Sequence, residues 1–150
     1  MDDLRELYQE IILDHNKNPK NFGDLPEANH QAEGYNPLCG DRVNLYLKLE
    51  NDKIQDVRFK GSGCAISKAA ASVMTTEIKG KTVDEAKQLF KKFQKVITGE
   101  VDADAHSAEL GKLVVFAGVR QFPVRVKCAA LAWHTLLAAF EDERKTVSTE

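Results

Sequence analysis

The sequence predicts an α+β fold: a small antiparallel three-stranded sheet with helices packed mainly on one face. Two observations carry this. Apolar and polar residues alternate only between about residues 31 and 60, whereas the segments on either side repeat at helical spacing. Strands therefore cluster early and helices follow, unlike the strict βα alternation of a parallel-sheet protein. A third observation sets the scale. The chain has 150 residues, 43% hydrophobic and 29% charged, with no repeat or long linker, which fits one domain over residues 1–150.

Taken in order, Leu4, Leu7, Tyr8, Ile11 and Ile12 form one apolar stripe and predict an amphipathic helix. It stops before Asn18-Pro19, because a proline ring disfavours helical geometry in the residue before it. Residues 16–36, rich in Asn, Gly and Pro, read as loop with one short strand near Gln31–Tyr35. Val43, Leu45, Leu47 and Leu49 then alternate with polar neighbours, Asn51-Asp52 makes a turn, and Ile54–Lys60 returns with Val57 and Phe59 on one side. That is a hairpin. Gly61-Ser62-Gly63 ends it, and a helix follows from Ala65 with Ile66, Ala69, Ala70 and Val73 on its stripe.

Thr82 and Glu85 have capping-box spacing and open the next helix, whose inner face is Ala86, Phe90, Phe93 and Ile97. Asp102–Gly111 is polar and reads as irregular. Leu110, Leu113, Val114 and Ala117 predict a short helix, and the run Leu113–Phe116 reads as core. Pro123 breaks the chain. The last helix is expected from about Val126, with Ala129, Trp133, Leu136, Leu137 and Phe140 facing inward and Cys128 in its first turn.

Composition removes several functions. Lys+Arg (21) does not exceed Asp+Glu (23), for a net charge of −2, which disfavours nucleic-acid binding. No apolar run is long enough to span a bilayer, and the acidic start Met1-Asp2-Asp3 is unlike a secretion signal. A cytoplasmic protein with reduced thiols is expected. Gly61-Ser62-Gly63 lacks the lysine and spacing of a phosphate-binding loop. His15 is expected at a helix end as a cation on the dipole, His30 and His106 in solvated loops, and His134 on the surface or in packing rather than as a ligand. No histidine is placed by motif for a Cys–His hydrolase.

What stands out is an odd count of three cysteines. Cys39 lies in the turn Pro37-Leu38-Cys39-Gly40-Asp41, Cys64 follows a glycine-flanked loop, and Cys128 opens the last helix as read above. Arg42, Lys60, Lys68, Arg125 and Lys127 lie near the three thiols in sequence. Cations and helix N-termini both favour thiolates. With Asp41, three thiolates complete a four-ligand set for Zn²⁺, and basic side chains around it would offset the excess negative charge. Spacing alone leaves open the alternative of three unrelated thiols, each packed as a small hydrophobe.

The motifs themselves say more. Gly34-Tyr35-Asn36-Pro37-Leu38-Cys39-Gly40-Asp41, then Phe59-Lys60-Gly61-Ser62-Gly63-Cys64-Ala65-Ile66-Ser67, then Arg125-Val126-Lys127-Cys128 resemble the three cysteine motifs of the NifU/IscU/SufU family. Asp14-His15-Asn16-Lys17-Asn18-Pro19 resembles its N-terminal signature, so the likeness runs from Leu4 to about Phe140. The resemblance implies the NifU/IscU N-terminal-like fold, with Cys39, Asp41, Cys64 and Cys128 as metal ligands. It also implies iron–sulfur cluster assembly beside a pyridoxal-phosphate cysteine desulfurase of the SufS kind.

Three departures resemble the SufU branch. Lys127 stands where IscU-type scaffolds have a histidine before the third cysteine. Gln121-Phe122-Pro123-Val124-Arg125 replaces their Leu-Pro-Pro-Val-Lys segment, and the chain is longer around Gly99–Arg120. The branch implies a zinc-dependent sulfurtransferase component in which Cys39 accepts persulfide sulfur while Cys64, Cys128 and Asp41 hold the metal. Arg125 would pair with Asp41 or with a partner carboxylate, and Lys127 would support the site. The alternative is a scaffold holding iron or a [2Fe–2S] or [4Fe–4S] cluster on the same ligands. Expected partners are the desulfurase and iron–sulfur assembly or acceptor proteins, with the chain a monomer or weak dimer.

Overall fold

The computed structural model describes residues 2–102, 107–141 and 146–148, with side-chain surroundings for 8–102 and 108–141. Helix α1 spans Asp2–Lys17. Of its expected apolar stripe, Tyr8, Ile11 and Ile12 pack half-buried against the core, while the side chains of Leu4 and Leu7 lie outside the described set.

Three antiparallel strands follow: β1 (His30–Asn36), β2 (Asp41–Glu50) and β3 (Lys53–Ser62). The period-two pattern is what sorts them. Val43, Leu45 and Leu47 on β2, with Ile54, Val57 and Phe59 on β3, are almost wholly shielded from solvent, so a one-residue slip would expose the whole set. Asn51 and Asp52 both adopt positive φ, 54° and 62°. A two-residue hairpin turn needs that twist, and Asn and Asp tolerate it best after glycine. The short strand β4 (Thr146–Ser148) adds to the edge in parallel with β1, giving the order β3-β2-β1-β4. A three-residue strand carries no periodicity to read.

Helices α2 (Ala65–Ile78), α3 (Val83–Ile97) and α5 (Pro123–Phe140) build the other layer, with the single turn α4 (Ser107–Leu110) and a 3₁₀ helix (Gly111–Gln121) between α3 and α5. The capping box at Thr82 and Glu85 is formed, each side chain meeting the other residue's backbone N–H. Ala86, Phe90, Phe93 and Ile97 are buried as expected, and Trp133 stacks on Phe90 at 5.5 Å between centroids. Helix α5 crosses β1 so closely that a Cβ on Gly34 would lie 2.0 Å from Thr135 Oγ1. That contact fixes how the third cysteine motif sits over the sheet.

The insertion differs from expectation. Residues 103–106, including His106, lie outside the described residues, and the expected short helix is an 11-residue 3₁₀ helix. Leu113, Phe116 and Val119, continuing from Leu110 at the end of α4, form a buried stripe, with Val115 buried beside it. Their spacing is three, the repeat of a 3₁₀ turn. Glu77 on α2 accepts the Lys112 N–H at 3.3 Å, tying the start of the segment down.

The last helix also begins earlier than expected, at Pro123. Proline fits the first helical position, because its fixed φ is helical and its missing N–H has no partner there anyway. Cys128 is consequently in the second turn, and it is buried, not at a helix start.

Candidate metal centre

The sheet delivers two of the site residues through one tight connection. Asn36 and Asp41 pair across the end of β1 and β2, and Cys39 sits exposed at the tip between them. Asp41 lies on the same side of β2 as Val43 and Leu45, so it is fully buried. The end of β3, paired with Arg42, leads through Gly63 to Cys64. A Cβ on Gly63 would stand 2.2 Å from Asp41 Oδ1 and 2.8 Å from Asp41 Cα, at φ +142°. Only glycine lets the loop pass that close to the carboxylate.

Cys64 is the N-cap of α2, its Sγ accepting the Ser67 N–H at 3.4 Å. Its own N–H donates to Asp41 Oδ1 at 2.8 Å. From α5, Cys128 brings its Sγ to 3.4 Å from Cys39 Sγ. Cys39, Asp41 and Cys128 offer ligand atoms that all lie within 4.8 Å of one another. Cys64 stands at the edge of that group, its Sγ 4.0 Å from Asp41 Oδ2. Metal–sulfur bonds of ~2.3 Å at tetrahedral angles separate ligand sulfurs by roughly 3.8 Å. Cys39, Asp41 and Cys128 thus already stand near ligand spacing, and Cys64 would have to move inward to complete a four-coordinate set.

A residue that sequence reasoning passed over completes the arrangement. Asn36 is fully buried and donates from Nδ2 to Asp41 Oδ2 at 3.3 Å and to Cys128 Sγ at 3.6 Å, while its Oδ1 accepts the Leu38 N–H at 3.2 Å. It had a signal. Ala32, Gly34 and Asn36 share one parity on β1, and the first two face the core.

The thiols are electrostatically unequal. A hydrogen bond with Cys128 pulls the Cys64 thiol down to about 6, aided by the Ser67 N–H and opposed by burial. The same contact pushes Cys128 well above the ordinary thiol range, and burial and Cys39 add to it. Of these two, Cys128 is the one that holds its proton more tightly.

The basic neighbours behave differently from expectation. Arg42 pairs with Glu33 at 3.5 Å and lies over the Tyr35 ring, Lys60 pairs with Asp24, and Lys68 lies over the Phe22 ring. Arg125 lies over the Phe122 ring, 5.5 Å from its centroid, and makes no ion pair with Asp41. Lys127 is half-buried on α5. Sequence neighbours on a strand or helix point to different faces, which is why proximity along the chain did not become proximity in space. Asp41 is left as a buried carboxylate with no cationic partner among the described residues.

His15 and His30 also depart from expectation. His15 is buried, 2.7 Å from Ser72 Oγ, and burial lowers its pKa, with Lys112 and Lys20 adding and Asp14 opposing. It does lie in the last turn of α1, as expected, but there its burial disfavours the charged form. His30 starts β1 half-buried, its Nδ1 2.8 Å from the Ala139 carbonyl. His134 packs edge-on to Phe90 as expected.

The thiols open into an apolar groove of about 760 Å³ between α1, the start of α2 and the Gln121–Arg125 corner. Leu13, Phe122 and Val124 line it while remaining exposed.

Residues 7–142 match the model of the NifU-like N-terminal domain. The chain belongs to that family. It is 43% identical over 133 residues to the "Zinc-dependent sulfurtransferase SufU" of Bacillus subtilis, covering 89% of this chain and 88% of the relative. It is also 38% identical over 138 residues to the "Iron-sulfur cluster assembly scaffold protein IscU" of Thermotoga maritima, covering 92% and 95%. Among solved structures, the "Putative iron-sulfur cluster assembly scaffold protein for SUF system" of Fervidobacterium islandicum superposes with a TM-score of 0.80 at 41% identity, covering 90% of this chain and 97% of that one. The N-terminal NifU-like protein of Brucella abortus shares the fold at a TM-score of 0.82 and 23% identity, covering 93% and 95%.

Proposed function

We propose that this family member is an iron–sulfur cluster assembly protein that accepts persulfide sulfur on Cys39 from a pyridoxal-phosphate-dependent cysteine desulfurase. Zinc is held by Cys39, Asp41, Cys64 and Cys128. One observation carries the reading: Asp41 is a fully buried carboxylate with no cationic partner among the described residues, set among three sulfurs of which only Cys39 is exposed. Buried carboxylates are ordinarily paired or bound to a metal. The similarity to a zinc-dependent sulfurtransferase supports the same reading.

Zinc would supply thiolates at neutral pH, which is what both ligation and sulfur attack require. The chain's own residues do the rest. The β1–β2 turn presents Cys39 to solvent, where its thiolate can reach the outer sulfur of a persulfide brought by another protein. Asn36 and the Cys64 N–H hold Asp41 in place from two sides. The apolar groove accommodates the approaching segment and excludes water from the reacting sulfurs, and Arg125 on its wall can receive a partner carboxylate. Lys127 supports the site from α5.

The test is a desulfurase assay with the cysteine desulfurase of the same organism. Cys39→Ala is expected to abolish stimulation of sulfide release from cysteine, and full stimulation by the folded variant would overturn the acceptor role. Metal analysis of the purified chain should give about one zinc.

The scaffold reading has its own support in the 38% identity to IscU proteins, and three thiolates with one carboxylate can ligate a cluster. Brown protein with cluster absorbance after anaerobic purification would favour it over zinc.

A further inference from the structure

The site contains one contact that persulfide acceptance does not use. Cys128 Sγ lies 3.4 Å from Cys39 Sγ, and the two differ sharply in exposure: Cys39 is exposed, Cys128 1% exposed. A sulfur atom added to Cys39 extends outward from the exposed thiol. The atom facing Cys128 is then the inner sulfur, Sγ of Cys39 itself.

We propose that Cys128 is the resolving thiol that discharges the Cys39 persulfide as sulfide. The step rests on Cys39 being the acceptor. Cys128 Sγ attacks Cys39 Sγ, the bond from Cys39 Sγ to the outer sulfur breaks, and its electron pair leaves with that sulfur. Cys128 attacks as a thiolate and a proton from water joins the leaving sulfur, so a persulfide anion, a thiolate and a proton become a Cys39–Cys128 disulfide and HS⁻. The sulfane sulfur is reduced, the two cysteine sulfurs are oxidised, and no outside oxidant or reductant enters the step. A thiol reductant afterwards returns the pair to its starting state by ordinary exchange.

Three features select Cys128 over the other thiol. Cys64 falls outside the group whose ligand atoms lie mutually within 4.8 Å, whereas Cys128 belongs to it together with Cys39. Cys64 Sγ is engaged as the N-cap of α2, accepting the Ser67 N–H. Asn36 Nδ2 donates to Cys128 Sγ at 3.6 Å while Asn36 Oδ1 accepts the N–H of Leu38, the residue before Cys39. One buried side chain thus ties the attacking sulfur to the turn that carries its target.

The experiment loads the full-length protein with a cysteine desulfurase and L-cysteine, removes both anaerobically without added thiol, and follows peptide masses and free sulfide together. The wild-type chain should lose its Cys39 persulfide while a Cys39–Cys128 cross-linked peptide and HS⁻ rise in a one-to-one ratio. In Cys128→Ser the persulfide should persist on Cys39, and in Cys64→Ser the cross-link should still form. Sulfide release without the cross-link, or equal persulfide lifetimes in wild type and Cys128→Ser, would overturn the proposal while leaving the acceptor role of Cys39 intact. Absence of persulfide on Cys39 even in folded Cys128→Ser would overturn both. The wild-type measurement alone decides the question should that variant fail to fold.

Discussion

Asn36→Ala is the most informative single change at this site. The side chain is fully buried and makes three contacts: to Asp41 Oδ2 at 3.3 Å, to Cys128 Sγ at 3.6 Å and from the Leu38 N–H at 3.2 Å. Truncation leaves Asp41 with only Cys64 donors, its N–H at 2.8 Å and its thiol at a long 4.0 Å, and leaves the Leu38 N–H without its Asn36 Oδ1 acceptor. A hydrogen bond to a charged group contributes ~1.5–3 kcal/mol, and a stranded buried donor costs ~1–3 kcal/mol. The sulfur contact is long and adds little. These terms overlap, so a loss of roughly 2–4 kcal/mol is expected for the metal-free protein. Urea unfolding at neutral pH measures it as a shift in midpoint at constant slope. Zinc affinity, read by competition with a chelator, should fall about 10–100-fold, as it does when a side chain orienting a metal ligand is lost. Asn36→Asp sharpens the test. It keeps the acceptor for Leu38 but faces Asp41 with a second carboxylate, so its penalty should be larger without metal than with it. A midpoint shift under ~1 kcal/mol together with unchanged zinc affinity in Asn36→Ala would refute the reasoning.

Gly63→Ala places a Cβ 2.2 Å from Asp41 Oδ1 at φ +142°; a strain of about 1–3 kcal/mol and loss of bound zinc are expected. Gly118→Ala, whose added Cβ meets nothing within 4 Å, should change stability by no more than about 1 kcal/mol and serves as control; equal melting temperatures for the two variants would contradict the close approach. Stability should also fall as the pH drops below the ordinary histidine value of 6.5. Burial lowers the folded-state pKa of His15, with Lys112 and Lys20 reinforcing and Asp14 opposing, and burial lowers that of His134. The unfolded chain therefore takes up these protons first, and stability is lost from 6.5 down to the lowered folded values. A urea midpoint unchanged or raised between about pH 7 and pH 5.5 would count against this, and His15→Gln should flatten the slope.

The sheet was legible because the pattern that builds it is local. Val43, Leu45 and Leu47 declare a buried face, Asn51-Asp52 declares the turn, and together they fix the register that sets Cys39, Asp41 and Cys64 at one end. The helical half was less so. Pro123 reads equally as a breaker or as the first residue of a helix, and only packing of α5 across β1 decides. The 3₁₀ segment satisfied a helical stripe loosely, since Leu110 and Leu113 suit either period until Phe116 and Val119 extend the spacing of three. Charge was the least legible of all. Arg42, Lys60 and Lys68 neighbour cysteines in sequence but end on Glu33, Asp24 and the Phe22 ring.

The parity of β2 contained more than the hairpin. Asp41, Val43, Leu45 and Leu47 fall on one face, and three of the four are core residues by type. A carboxylate placed in that series must be desolvated by the same register that buries the leucines. The strand cannot release it without exposing its whole apolar face, and burying a carboxylate without a compensating partner is costly. The Cys64 N–H and Asn36 offset part of that cost with neutral donors, and no cation of this chain supplies the rest among the described residues. On the proposed reading, the fold holds Asp41 where a cation from solution would stabilise its charge. With three thiols beside it, a thiophilic divalent metal satisfies that requirement and alkali or alkaline-earth ions do not.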